Sequence, residues 1–190
     1  MNKILLIDNY DSFTYNLLHY IEGVSNQQVD VFRNDKISLP DIEKYNTIVL
    51  SPGPGLPKDA GILKEIIQEY SSRKKILGVC LGMQAIGEVF GGTLVNLPKV
   101  YHGVATKLDI IDKADLLFKN IPTNTNVGRY HSWVIDGNNF PPDLKITSVD
   151  EQGQIMSFKH KTYKVYGVQF HTESILTEYG KEMLANFLAI

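Results

Sequence analysis

A single cysteine in 190 residues rules out a disulfide within the chain, so the fold rests on its hydrophobic core. One unpaired thiol fits a reducing compartment, and the expected location is the cytoplasm. Basic runs and basic helix faces are also missing. With 19 Lys and Arg against 21 Asp and Glu the formal net charge is −2, which offers no footing for nucleic acid or an acidic membrane surface. No hydrophobic run approaches the roughly 20 residues of a membrane span. The apolar start Ile4-Leu5-Leu6-Ile7 is too short for a secretory signal and lacks a cleavage pattern, so it reads as a buried strand. Repeats, low-complexity tracts and linkers are absent, giving the expectation of one domain over residues 1–190. At 43% hydrophobic residues, a chain of this length buries about 70% of its unfolded surface.

What is present first is alternation of strand-like and helix-like segments. Lys3–Asp8, Gln28–Arg33, Thr47–Ser51 and Lys75–Val79 read as strands. Between them Thr14–Gly23 has helical spacing, with Asp11 or Ser12 as cap and Gly23 as stop; Ile42–Tyr45 forms a short helix and Gly61–Ser72 a longer amphipathic one. A further helix follows Cys80. This βαβα order with apolar strands predicts an α/β fold, a mostly parallel central sheet flanked by helices. From about Gly92 the pattern changes. Gly92–Leu97, Val104–Ile111, Asn126–Ile135, Leu144–Val149, Ile155–His160 and Lys164–Phe170 read as short strands, adding antiparallel strands before a closing helix over Tyr179–Leu188.

The lone cysteine carries most of the chemical information. Gly78-Val79-Cys80-Leu81-Gly82 follows an apolar strand and precedes a helix, the pattern of a nucleophile elbow with cysteine in place of serine. The glycines allow a sharp turn that leaves the thiol at its tip. A helix amino terminus supplies partial positive charge, and an imidazole can accept the thiol proton. His171-Thr172-Glu173 follows the last apolar strand, and residues two apart in an extended chain share a face. The carboxylate of Glu173 can then orient His171, as in a serine triad. Against this stand an inert buried thiol, a solvated strand end, and an H-x-E metal pair that lacks a third ligand nearby in sequence.

Other features are weaker. His160, between two lysines, is expected to be exposed and structural, and His19 lies on the polar side of its helix. His102 and His131 sit at strand or loop ends without a close carboxylate. Trp133 and most tyrosines read as core or interface. Ser51-Pro52-Gly53-Pro54-Gly55 is either a stiff turn or a loop that aims a backbone amide at the site, forming an oxyanion hole with the Leu81 amide.

Taken together, these residues resemble the class I, triad-type glutamine amidotransferases over nearly the whole chain. The resemblance rests on Gly78–Gln84 and Gly167–Ser174. Asp8–Asn16, Ser51–Gly55, Arg129–Ser132 and Ser174–Thr177 are similar to the glutaminase components of anthranilate synthase and aminodeoxychorismate synthase. The resemblance implies a flavodoxin-like sheet, attack of Cys80 on the side-chain amide of L-glutamine, His171 as base then acid, and Glu173 as its orienting partner. It implies glutamine contacts from Gly53, Pro54, Gly55, Leu81, Gln84, Ser132 and Trp133. It implies no cofactor or metal, and a chorismate-using synthase as partner. Met83, Trp133 and Thr172 depart from the family pattern, where histidine, leucine and proline are usual. The first two are expected to tune the pocket or the partner contact, and Thr172 to hold the His–Glu geometry less rigidly. Two other readings remain: a stand-alone cysteine hydrolase such as a γ-glutamyl hydrolase or small amidase, and a non-enzymatic binding module. The second is the poorer match, because Asn9–Ser12 does not form a phosphate-cradling loop and Ser51 stands where a phosphoacceptor would carry aspartate.

Overall fold

The computed structural model describes residues 3–190. Every residue of β1 (Ile4–Asp8) is buried, because both faces of the sheet are covered. Ile4 and Leu6 pack with Leu17 and Ile21 of α1 (Thr14–Ser25) and with Met183, Leu184 and Phe187 of α5 (Gly180–Ala189). Leu5 and Ile7 point the other way, toward Ile66 and Ile67 of α3 (Leu63–Tyr70) and Ile86 of α4 (Leu81–Val89). Each such fully buried side chain contributes about 1.5–3 kcal/mol.

The remaining strands are β2 (Val29–Arg33), β3 (Thr47–Leu50), β4 (Lys75–Val79), β5 (Leu94–Asn96), β6 (Val104–Ile110), β7 (Thr125–Arg129), β8 (Trp133–Ile135), β9 (Leu144–Val149), β10 (Ile155–His160) and β11 (Val165–Val168). The main sheet runs β2-β1-β3-β4-β11-β10-β9-β6-β7, while β5 and β8 form a separate ribbon. From β2 through β11 all neighbours are parallel; from β10 to β7 they are antiparallel. The parallel centre flanked by helices matches the expected architecture. Strand order reverses at β1, so a crevice opens beyond the carboxyl ends of β1 and β3. Asn9 pins that edge: its main-chain N–H donates to Ser51 Oγ at 2.9 Å, and its amide to the Ser51 carbonyl at 2.8 Å.

Several expectations need correction. Gly23 does not stop α1; the helix runs to Ser25, where Asn26 takes the left-handed conformation (φ 51°) and donates to the Glu22 carbonyl. Neither Asp11 nor Ser12 is the cap residue, which is Phe13; the Asp11 carboxylate accepts the Phe13 N–H. The short helix α2 lies at Leu39–Ile42, because Pro40 suits a first turn. Asn126–Ile135 is two strands in different sheets, broken at Tyr130–Ser132. His160 is buried: its ring stacks on Tyr163 at 4.2 Å, and Nδ1 accepts from the Thr162 and Tyr163 amides. Burial lowers its pKa, and the neutral ring is not repelled by its lysine neighbours.

The segment after β11 is tied to β7 by Glu178. Its carboxylate accepts from the Asn126 N–H, the Thr125 hydroxyl and the Asn126 amide at 2.7–2.9 Å. Chiefly through the Asn126 N–H, these bonds hold its pKa down to about 2, against an ordinary value of 4.5. A carboxylate held below its unfolded value contributes stability that is complete above that value and lost as pH falls through the folded one. In urea titrations between pH 5 and 2, roughly that window, Glu178→Gln should show a shallower loss of stability than the parent. Identical pH dependence would refute the clamp.

Candidate active site

The turn from β4 into α4 is fixed by close approach. A Cβ on Gly78 would lie 2.4 Å from the Gly82 carbonyl carbon, and one on Gly82 would lie 2.6 Å from the Leu50 oxygen. With helix and strands this close, Cys80 adopts φ 52°, ψ −101°, a conformation rare for a residue with a side chain. Its backbone is held on both sides: Cys80 N–H donates to the Val168 carbonyl at 2.8 Å, and its carbonyl accepts from Gln84 N–H at 3.0 Å. Cys80 therefore caps α4 at the carboxyl edge of the sheet.

His171 and Glu173 arrive there from β11, the parallel neighbour of β4. His171 Nδ1 and Glu173 Oε1 are 2.7 Å apart, and both residues are almost fully buried. Nε2 is buried without a hydrogen-bond partner of ordinary geometry, yet the Cys80 thiol is near enough to favour the charged ring. Burial works against charge on this imidazole, but Cys80 and Glu173 outweigh it and raise its pKa to about 10. Tyr130 and Phe13 pack against the ring at 4.7 and 5.5 Å. Thr172, between the two, is closely packed. It is buried, its hydroxyl reaches Glu173 Oε2 at 3.4 Å, and Gly180 packs so tightly against its carbonyl that a Cβ would fall 1.8 Å away.

Beside the thiol is a cleft of about 250 Å³ lined by Gly53, Pro54, Gly55, Cys80, Gln84, Tyr130, His131, Ser132 and Trp133. Its volume suits a molecule of amino-acid size. Gly53 is required by packing, since a Cβ would meet Asn9 at 2.6 Å and Leu81 at 2.8 Å. Leu81 does not line the cleft; its side chain is buried, and its backbone N–H lies on the first turn of α4, where it has no intrahelical acceptor. Met83 is likewise a core residue and does not line this cleft, packing beneath Gly167. Trp133, expected in the core or an interface by composition and at the glutamine site by resemblance, is half-buried and lines the cleft.

Larger clefts exist elsewhere. One of about 600 Å³ lies at the amino ends of β3, β4 and β11, but its wall of Arg73, Lys74, Lys75 and Lys164 carries no cysteine, histidine or carboxylate side chain. Chemistry, not size, favours the smaller one.

Two groups escape sequence reading. Gln169 is fully buried beside Cys80, with Nε2 3.5 Å from Sγ. Its only signal is a lone amide in the apolar run Val165–Phe170. The other is Arg129, which carries His131: its Nε donates to His131 Nε2 at 3.1 Å, while its guanidinium pairs with Asp150 and stacks on Tyr101. His131 Nδ1 in turn faces the Trp133 carbonyl at 3.1 Å. Burial first, then the Arg129 charge, lowers the His131 pKa to about 3.

A thiol, an imidazole paired with a carboxylate and a small cleft at one sheet edge have the parts for acyl transfer. The family model for class-I glutamine amidotransferase matches residues 5–190. The chain belongs to the class-I glutamine amidotransferases. Anthranilate synthase component 2 of Cyanophora paradoxa is 48% identical over 188 residues, covering 97% of both chains. A bifunctional protein of Thermotoga maritima (TrpGD) is 42% identical over 193 residues; there this chain spans only about a third (32%) of the relative's length. A solved glutamine amidotransferase of Thermotoga maritima has a TM-score of 0.80 over 98% of this chain and 96% of that one; at 18% identity the likeness is one of fold.

Among amidotransferases built on such an elbow, the glycine contacts make a sharp test. Gly82→Ala should destabilise the chain by about 1–3 kcal/mol in denaturant unfolding, because backbone cannot yield as a flexible side chain would. A loss below about 0.5 kcal/mol, the size of an ordinary surface substitution, would contradict the packing.

Proposed function

We propose that the chain hydrolyses L-glutamine through a thioester on Cys80 and supplies ammonia to a chorismate-using synthase that makes anthranilate. The observation that carries the chemistry is the buried His171–Glu173 pair at the foot of the Cys80 elbow. His171 Nε2 takes the thiol proton, and Sγ attacks the side-chain amide carbon of glutamine. The Leu81 amide, with an amide from Gly53 or Gly55, receives the developing oxyanion. His171 then protonates the departing nitrogen, ammonia leaves, and water attacks the thioester to release glutamate. Gln84, Ser132 and Trp133 form the opposite wall that holds the substrate.

The names of the relatives support the anthranilate branch over 4-amino-4-deoxychorismate. The synthase docks on the rim at the carboxyl ends of the strands, near Asn9–Ser12 and Tyr101–Gly103. Tyr10 and Ile175 stand exposed on that edge, Ile175 at 93%. A reducing compartment keeps the thiol active. Covering the rim confines ammonia before water protonates it.

Two measurements test the reading. Cys80→Ser should abolish glutamine-supported anthranilate formation by the reconstituted complex while leaving the reaction with ammonium salt intact; retained glutaminase activity would end the assignment. Turnover of the chain alone should be low and should rise with added synthase, whereas full turnover alone would favour a stand-alone hydrolase.

The raised His171 pKa sets a pH dependence. The protonated ring is the acid for ammonia departure, so it is present below the folded pKa and lost as pH rises through it, near 10. The alkaline limb of glutaminase activity should therefore lie above about pH 9 and move downward in Glu173→Gln, which removes one of the groups favouring the charged ring. An unchanged limb in the variant would separate Glu173 from the imidazole.

A further inference from the structure

We infer that Gln169 is the hydrogen-bond donor that stabilises the Cys80 thiolate, held in that role by Gln84. The inference deepens the proposed chemistry and rests on Cys80 being the nucleophile. Gln169 lies immediately beyond the last strand residue Val168, and Val168 is in register with Val79, so its side chain falls beside the elbow. It is fully buried, and its main-chain N–H is already used on the Met156 carbonyl at 2.8 Å.

The orientation of the side-chain amide is over-determined. The Trp133 carbonyl can only accept, so the Gln84 atom 2.9 Å from it is the donor Nε2. That same nitrogen lies 3.2 Å from Gln169, which must present Oε1 there. Gln169 Nε2 is then the atom that faces Sγ at 3.5 Å. An amide sealed in an otherwise apolar strand costs about 1–3 kcal/mol where it is left unpaired, so a chain Trp133–Gln84–Gln169–Cys80 with each group matched is a specific arrangement.

A neutral thiol is a weak acceptor, whereas a thiolate makes a charge-assisted bond roughly twice as strong as a neutral one. The bond therefore favours the state in which the sulfur has passed its proton to His171. Its chemical cost is also defined: a stabilised thiolate is less nucleophilic, with a Brønsted slope of about 0.4–0.5. Removing the donor should shift the two properties in opposite senses, a signature that simple loss of packing does not produce.

The test is the rate of Cys80 alkylation by iodoacetamide as a function of pH, in the whole chain with no other thiol to react. Gln169→Met keeps the volume and deletes the donor. Its profile should move to higher pH by about one unit, and its plateau should rise by about threefold. Gln169→Glu, near-identical in shape and carrying an acceptor, should move the profile further. Circular dichroism establishes that each variant is folded; where the methionine variant folds poorly, the glutamate variant alone decides. Profiles that coincide with the parent in a folded variant overturn the role of Gln169. Failure of the underlying nucleophile assignment is distinguishable, because it appears as glutaminase activity surviving Cys80→Ser whatever the alkylation profiles show.

Discussion

Contact between two glycines across the turn from β4 to α4 is the constraint on which the site depends. Gly78 and Gly82 leave no room for a Cβ, and Gly82 also touches the end of β3. The helix is thereby seated against two strands at once, and the chain between must turn within three residues. That forces Cys80 into positive φ, at a cost on the order of 1–3 kcal/mol. The backbone bonds to Val168 and Gln84 and the buried apolar side of α4 hold the strained residue in place. The same geometry leaves the first amides of α4 beside the thiol, where negative charge is favoured.

The second constraint is register. β4 and β11 are far apart in sequence but pair in parallel, Gly78 with Gly167 and Val79 with Val168. Neighbouring strands lie about 4.8 Å apart, so the residues just past Val168 must fall next to those just past Val79. Gln169 and His171 are there for that reason. The chain between the two strands returns as the antiparallel half of the sheet, and β7 with the loop after it closes the far side of the cleft. His171 itself joins that half through a bridge to Gly128, whose lack of a side chain admits Ser174.

Features built from adjacent residues are legible in the sequence. The elbow and the His-x-Glu spacing depend on local geometry, and the parallel strands on apolar runs long enough to be covered on both faces. Features that depend on partners distant in the chain are not legible. His160 reads as exposed between two lysines, but Phe90, far away in the chain, packs against its ring at 4.8 Å. Asn126–Ile135 reads as one strand because nothing local reveals that Arg129 is buried by Asp150 from beyond β9. Leu81 stands next to Cys80, yet its side chain belongs to the core and does not line the cleft. Thr172 lacks a proline ring to fix its backbone, and the sequence does not show that Gly180 packs closely against its carbonyl.

His131, which lines the cleft, and His171, buried behind Tyr130, show how one residue type is set to opposite protonation preferences. Both are buried, which alone would keep both neutral. His171 has a carboxylate on one nitrogen and a thiol near the other, so a proton on its ring is favoured. His131 has a guanidinium on Nε2, and its Nδ1–H points at a carbonyl, so its one lone pair is occupied by a cation's donor and cannot take a proton. The Arg129 charge is itself balanced by Asp150, away from the thiol. A second imidazolium beside the cleft would repel the first, and a second imidazole with a free lone pair would compete for the sulfur's proton. With His131 fixed neutral, the proposed reaction has a single histidine to which that proton can go, and it is the one aligned by Glu173.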